Sequence, residues 1–182
     1  MRMKWERKHT LEENVEWTGL PESEMEPFKA YVNGKTPGIC GTYAAAALTV
    51  LMAKREEVVT QTMDELLKGM EASIEYAFPY RGTFYWDVQR GLNDEWKKYG
   101  YKTRFNLFSE KVTPSLLEDG VPVIVGTTTA LGSPYKNHWV VVYQYAFDSN
   151  GKLWYKVYDN HGSITTVIPA VQTLCAIWLE KL

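Results

Sequence analysis

The chain has 182 residues, enough for one domain with a full hydrophobic core and too few for two ordinary ones. Apolar residues make up 45% and charged residues 23%, the balance of a globular protein, which excludes a disordered chain and a membrane-spanning one. The 20 Lys and Arg against 22 Asp and Glu leave a net charge of −2 without a long block of either sign, so neither nucleic acid nor an acidic membrane surface is an expected partner.

Near the start, Arg2, Lys4, Arg7 and Lys8 form a basic cluster interrupted by Trp5 and Glu6. No apolar core of a signal peptide follows it. The longest apolar stretch, Tyr43 to Ala53, falls short of the roughly 20 residues that cross a bilayer, and the cytoplasm is the expected compartment. Residues 1–33 read as an N-terminal segment packed on a single domain spanning 1–182, with a helix predicted from Glu24 to Val32 after Ser23 and Pro27 early in it.

A loop dense in Gly and Pro, Asn33 to Gly38, leads to Cys40 and a predicted helix from Thr42 to Lys54. Four successive alanines, Ala44 to Ala47, give that helix high propensity and a slim profile suited to burial. A second helix is predicted over Thr62 to Ala77, where Met63, Leu66, Leu67, Met70 and Ile74 recur at helical spacing and Asp64 and Glu65 favour its first turn. A third runs from about Trp86 to Tyr99 and stops at Gly100.

Beyond it the period changes. Pro122 to Gly126, His138 to Tyr145, Leu153 to Tyr158, Ile164 to Ile168 and Leu174 to Leu179 are rich in β-branched and aromatic residues and read as strands. Asp148-Ser149-Asn150-Gly151 predicts a hairpin between the second and third of these runs. Helices first and strands afterwards predict an α+β fold, with the Cys40 helix packed on a largely antiparallel sheet.

Two cysteines are present, Cys40 and Cys175. Cys40 follows a Gly-rich loop and opens a helix, where unpaired N–H groups and the helix dipole stabilise a thiolate. Most free cysteines simply pack as small apolar residues, which is the expectation for Cys175 in its terminal strand. A thiol nucleophile needs a base near in space. Of the three histidines, His9 lies in the polar N-terminal segment and His161 in a turn, whereas His138 heads a strand and is held firmly within reach of solvent. No cofactor is expected, and three scattered histidines without clustered thiols or carboxylates do not suggest a metal site.

The strand after the hairpin returns to Tyr158-Asp159-Asn160-His161-Gly162, bringing an acid and an amide toward His138. Either side chain can orient an imidazole. A two-residue Asn150-Gly151 turn puts Asp159 on the His138 face. A three-residue Ser149-Asn150-Gly151 loop reverses the parity and favours Asn160.

With Cys40-Gly41 heading a helix, His138-Trp139-Val140-Val141-Val142 on a strand and Tyr158-Asp159 ending the next, the chain resembles papain-like cysteine peptidases. It is most similar to the branch containing the bacteriocin-processing double-glycine peptidases and their stand-alone bacterial relatives. Pro122-Val123-Ile124-Val125-Gly126 and the preceding Leu116-Leu117-Glu118-Asp119-Gly120 fit that layout. The resemblance covers roughly Gly34 to Gly162 and implies Cys40 as nucleophile, His138 as general base and Asp159 as orienting acid, with Asn160 the papain-type alternative. Such enzymes usually carry a Gln before the Cys to bind the oxyanion. Here Asn33 is the candidate amide donor beside the Cys40 backbone N–H, with Thr36 or water as substitutes. The implied activity is hydrolysis of a peptide or small amide through an acyl-enzyme. Acyl transfer from the same site and a degenerate fold that only binds peptide are the alternatives, the latter using the aromatics Phe78, Tyr80, Phe84, Tyr85 and Trp86 around Arg81-Gly82.

Overall fold

The computed structural model describes residue 11 and residues 14–34, 38–80 and 82–182. The basic cluster, His9, Thr36, Pro37 and Arg81 lie outside the described residues. In chain order the elements are β1 (Thr18–Gly19), a 3₁₀ segment (Glu22–Ala30), α1 (Cys40–Arg55), α2 (Met63–Glu75), α3 (Tyr85–Trp96), β2 (Tyr101–Asn106), α4 (Thr113–Glu118), β3 (Val123–Thr127), β4 (His138–Phe147), β5 (Leu153–Tyr158), β6 (Thr166–Pro169) and β7 (Thr173–Lys181). The fold is α+β, and every strand pairing in it is antiparallel.

The helix α1 has no polar face. Its residues from Gly41 to Ala53 are almost all buried, and it packs against β4 and β3 on one side and α2 and α3 on the other. Polar side chains inside it find partners: the Trp96 indole N–H donates to Thr49 Oγ1 at 3.2 Å. α2 is amphipathic and opens on a capping box, in which Thr62 Oγ1 accepts from Glu65 N at 3.3 Å and Glu65 Oε2 accepts from Thr62 N at 2.8 Å. The segment predicted as a helix from Glu24 to Val32 is a tighter 3₁₀ turn sequence ending at Ala30, with Pro27, which has no N–H to donate, in its interior. It buries Met25 and Phe28.

The sheet runs in the order β2-β7-β3-β4-β5-β6, with β1 pairing β4 off this path. β2 alternates buried and exposed residues over Tyr101 to Thr103 but follows a helix directly, and its period escaped the sequence reading. The N-terminal segment is stitched to the sheet by Leu20 N donating to Tyr143 O at 2.8 Å and Tyr158 Oη donating to Tyr31 O at 2.6 Å. No helix among the described residues is long and apolar enough to cross a membrane.

The β4–β5 hairpin has the three-residue loop. Asp148 N donates to Lys152 O at 3.0 Å, Gly151 N donates to Asp148 O at 2.9 Å, and Gly151 takes the left-handed φ of +74° that the bulge geometry requires. That loop alone would put Asn160 in phase with His138. The register then slips at Tyr143, between the pairs Gln144–Lys156 and Val142–Val157, and the slip restores the phase for Asp159. At the slip Tyr143 O turns to Leu20. Gly19, with φ +136°, permits the approach, since a Cβ there would lie 2.2 Å from Tyr143 O.

Candidate active site

Cys40 is the first residue of α1, and His138 the first of β4. Both line one cavity of about 480 Å³, closed by Phe84 and Tyr85 at the start of α3 and by Leu174 and Cys175 of β7. Gly126, across the ladder from Trp139, keeps one wall low: a Cβ there would come within 3.1 Å of the Trp139 ring.

The Cys40 thiol is pushed up from its ordinary value, chiefly by burial, with the Glu75 carboxylate adding to the rise. The main-chain N–H groups of Trp139, Gly41 and Cys40 favour the thiolate and oppose that rise without overcoming it. The expected activation by the helix start is therefore present but outweighed. His138 is pushed down to about 4, again mainly by burial, with the His161 ring contributing in the same direction. Its Nε2 lies 2.7 Å from the main-chain oxygen of Asp159. A carbonyl only accepts, so Nε2 carries the proton and Nδ1 the lone pair. Both shifts favour the uncharged forms, a thiol and a neutral imidazole.

The Asp159 carboxylate does not face the ring. Oδ1 accepts from His161 N at 2.9 Å and Ser163 N at 3.0 Å, and Oδ2 accepts from Tyr135 Oη and Thr166 Oγ1, both at 2.9 Å. Asp159 thus shapes the turn after β5, and the turn presents the carbonyl to His138. Asn160 is fully buried in a left-handed conformation, φ +47°, with Nδ2 donating to Trp139 O at 2.9 Å and Oδ1 unpartnered among the described residues. Asn33 Oδ1 accepts from Ile39 N at 3.3 Å, and Asn33 N donates to Asn160 O at 2.8 Å. Its side chain therefore ties the two ends of the loop before Cys40 and is not among the residues walling the cavity.

Cys175 departs from its expectation of burial. It is half-buried at a register shift of β7 against β3, with φ +61°, and it lines the same cavity as Cys40. His161 is also more than a turn residue: its ring centroid lies 4.2 Å from that of His138, and Tyr135 stacks near both.

Glu75, at the last turn of α2, was not singled out by the sequence. Its Oε1 accepts from Thr42 N and Thr42 Oγ1, each at 3.0 Å, and its Oε2 accepts from Thr83 Oγ1. Thr83 O in turn accepts from the Trp139 indole at 2.9 Å. One signal does exist, because a carboxylate ending its own helix opposes that helix's dipole and invites another partner.

No protein-family model matches the sequence, and no curated protein does. Among solved structures, the peptidase domain of Streptococcus ComA, a bi-functional ABC transporter involved in a quorum sensing pathway, is similar. The two share 19% identity with a TM-score of 0.46, over 78% of this chain and 93% of that one.

Of the five aromatics from Phe78 to Trp86, Tyr85 packs on the core and stacks on Phe105, and the other four do not belong to it. Phe78, Tyr80, Phe84 and Trp86 are between 37% and 51% exposed and form a continuous run: Phe78 stacks on Tyr80, Tyr80 meets Phe84 edge-on, and Phe84 stacks on Trp86 at 4.6 Å. Their polar edges are tied inward, with Trp86 Nε1 donating to Tyr80 Oη at 2.7 Å and Tyr80 Oη donating to the buried Asp87 at 2.6 Å. The faces left to solvent are apolar, and the run touches the Cys40 cavity at Phe84. Among the described residues, no group of three His, Cys, Asp or Glu is placed to hold a metal.

Proposed function

We propose that the protein is a single-domain, papain-like cysteine hydrolase that cleaves a peptide or related amide bond through an acyl-enzyme on Cys40. The observation that carries this reading is a thiol heading a buried helix in one cavity with an imidazole whose Nε2 is held by a carbonyl. As the Cys40 sulfur bonds to the substrate carbonyl carbon, its proton passes to His138 Nδ1 and the carbonyl π pair moves onto oxygen. The backbone N–H of Cys40 stabilises that oxygen, and Asn33 supports it by holding the preceding loop. His138 then returns the proton to the departing amine as the C–N bond breaks. Water, deprotonated by the same nitrogen, then bonds to the acyl carbon; the C–S bond breaks, the carboxylic acid leaves and the imidazole returns the proton to the Cys40 sulfur. Asp159 is the orienting residue, acting through its main-chain carbonyl. Both cysteines are free, and a reducing cytoplasm would keep Cys40 competent.

The exposed aromatic run favours a peptide that extends beyond the scissile bond and rests apolar side chains on Phe78, Tyr80, Phe84 and Trp86. It also supports the second reading, a peptide-binding module without turnover. Incubating the wild-type chain and Cys40→Ala with a mixed peptide pool decides between them. Hydrolysed products and a thioester adduct on Cys40 are expected from wild type alone. Peptide retained intact by both proteins would leave only the binding module. Competing water with an added amine separates hydrolysis from acyl transfer by product mass.

A further inference from the structure

The N–H groups at the start of α1 are divided between two acceptors. The first three, of Cys40, Gly41 and Thr42, have no acceptor in their own helix, whose ladder begins with Tyr43 N donating to Ile39 O at 3.2 Å. Those of Cys40 and Gly41 favour the sulfur, while that of Thr42 is taken by Glu75. Glu75 comes from a different helix, accepts the Thr42 hydroxyl as well, and is clamped from the other side by Thr83 Oγ1. The Cβ-free surface of Gly41 lets Thr83 close over it, since a Cβ there would meet Thr83 Cγ2 at 2.6 Å. Thr83 O then fixes the indole of Trp139, the residue next to His138. One carboxylate therefore connects the nucleophile's helix, the aromatic loop and the base's strand.

We propose that Glu75 is a positioning residue that draws off part of the α1 N-terminal field and holds Cys40 as a thiol, so that its proton leaves only during attack, toward His138. This rests on the hydrolase reading above. The charge is well placed for it: Glu75 sits on the N–H and hydroxyl of Thr42, two residues into the helix that Cys40 opens, and a carboxylate near that helix start disfavours the thiolate. The other titratable groups lining the cavity with Cys40, among the described residues, are His138 of β4, Tyr85 of α3 and Cys175 of β7. None is a carboxylate. The arrangement trades resting reactivity for stability, sparing a cavity thiol from adventitious alkylation and oxidation.

The test is the rate of iodoacetamide labelling at Cys40, followed by peptide mass mapping of the full chain, in wild type, Glu75→Asp and Glu75→Gln. The amide of Gln keeps an acceptor for Thr42 N–H and offers a donor to Thr83, so the bridge survives without the charge. At about pH 7 labelling of Cys40 should rise roughly threefold or more in Glu75→Gln, because removing the charge enlarges the thiolate fraction. Glu75→Asp, whose carboxylate is withdrawn by one methylene, should fall between the two. Cys175 is the internal control, and its rate should stay fixed. Equal or slower labelling of Cys40 in Glu75→Gln overturns the inference, as does parallel acceleration of both cysteines, which would mean a loosened cavity. If Glu75→Gln does not fold, a Glu75→Asp rate equal to wild type overturns it. Absence of peptide hydrolysis with the labelling order intact would defeat the hydrolase reading alone, whereas hydrolysis without that order would defeat only the role of Glu75.

Discussion

A buried imidazole that already donates through Nε2 resists a second proton, and this has consequences for pH. His138 titrates at about 4 in the fold against 6.5 in an open chain, so between those values the unfolded state binds the additional proton. Stability attributable to neutral His138 is complete above about pH 6.5 and is lost progressively down to about 4, by at most ~3 kcal/mol. Urea denaturation across that window should show a shallower decline for His138→Gln than for wild type. The acidic limb of kcat/KM should correspondingly fall near pH 4 rather than 6.5. Asp159 is a different case, since its carboxylate gathers four donors and none of them is the His138 ring. Asp159→Asn should lower stability by about 2–3 kcal/mol in thermal or urea unfolding, while turnover per folded molecule falls far less than in His138→Ala. The choice between Asp159 and Asn160 was posed in the sequence as a choice between side chains, yet a main-chain atom faces the imidazole, and no side-chain pattern signals that.

At the scale of elements, the strongest local signals match the structure closely. The helical spacing, with Asp64 and Glu65 in the first turn, places α2 within two residues at each end, and the β-branched and aromatic run after the Asp148–Gly151 turn places β5 at Leu153–Tyr158. Thr62→Ala should cost about 1 kcal/mol in a chemical unfolding curve and leave Cys40 labelling unchanged, because the cap lies at the opposite end of α2 from Glu75. The slip at Tyr143 was not legible, because its cause is distant: Leu20 and Gly19 arrive from more than a hundred residues away to engage Tyr143 O. Gly19→Ala should therefore destabilise the fold by about 2 kcal/mol or more, measured the same way, as the new Cβ meets that carbonyl and φ is unsuited to it. The 3₁₀ geometry of Glu22–Ala30 escaped for a related reason: Pro27 marks a weakened helix without saying which tighter form replaces it.

At the scale of the whole molecule, the cavity is assembled from α1, α3, β3, β4 and β7, so its lining is a property of topology. Cys40 and His138 were visible because each sits at the edge of a strong local pattern. Glu75, Thr83, Tyr135 and the placement of Cys175 in the cavity wall were not, because each matters only through a contact distant in sequence. The aromatic run crosses two of these scales, being contiguous in sequence yet outward-facing only once α2 and α3 are packed. Trp86→Ala should raise KM for an extended peptide several-fold and leave kcat for a minimal amide near wild type, as expected for binding away from the reacting atoms. The position of β7 adds a temporal constraint. The last of these strands to be synthesised lies inside the sheet between β2 and β3, and it supplies Leu174 and Cys175 to the cavity wall. Before it is made, β3 to β6 have all their mutual partners and already hold His138 in register, but the wall of the cavity formed by Leu174 and Cys175 is missing. The pocket and the β2 edge are therefore completed by a segment made more than a hundred residues after the nucleophile, in a late, non-local step.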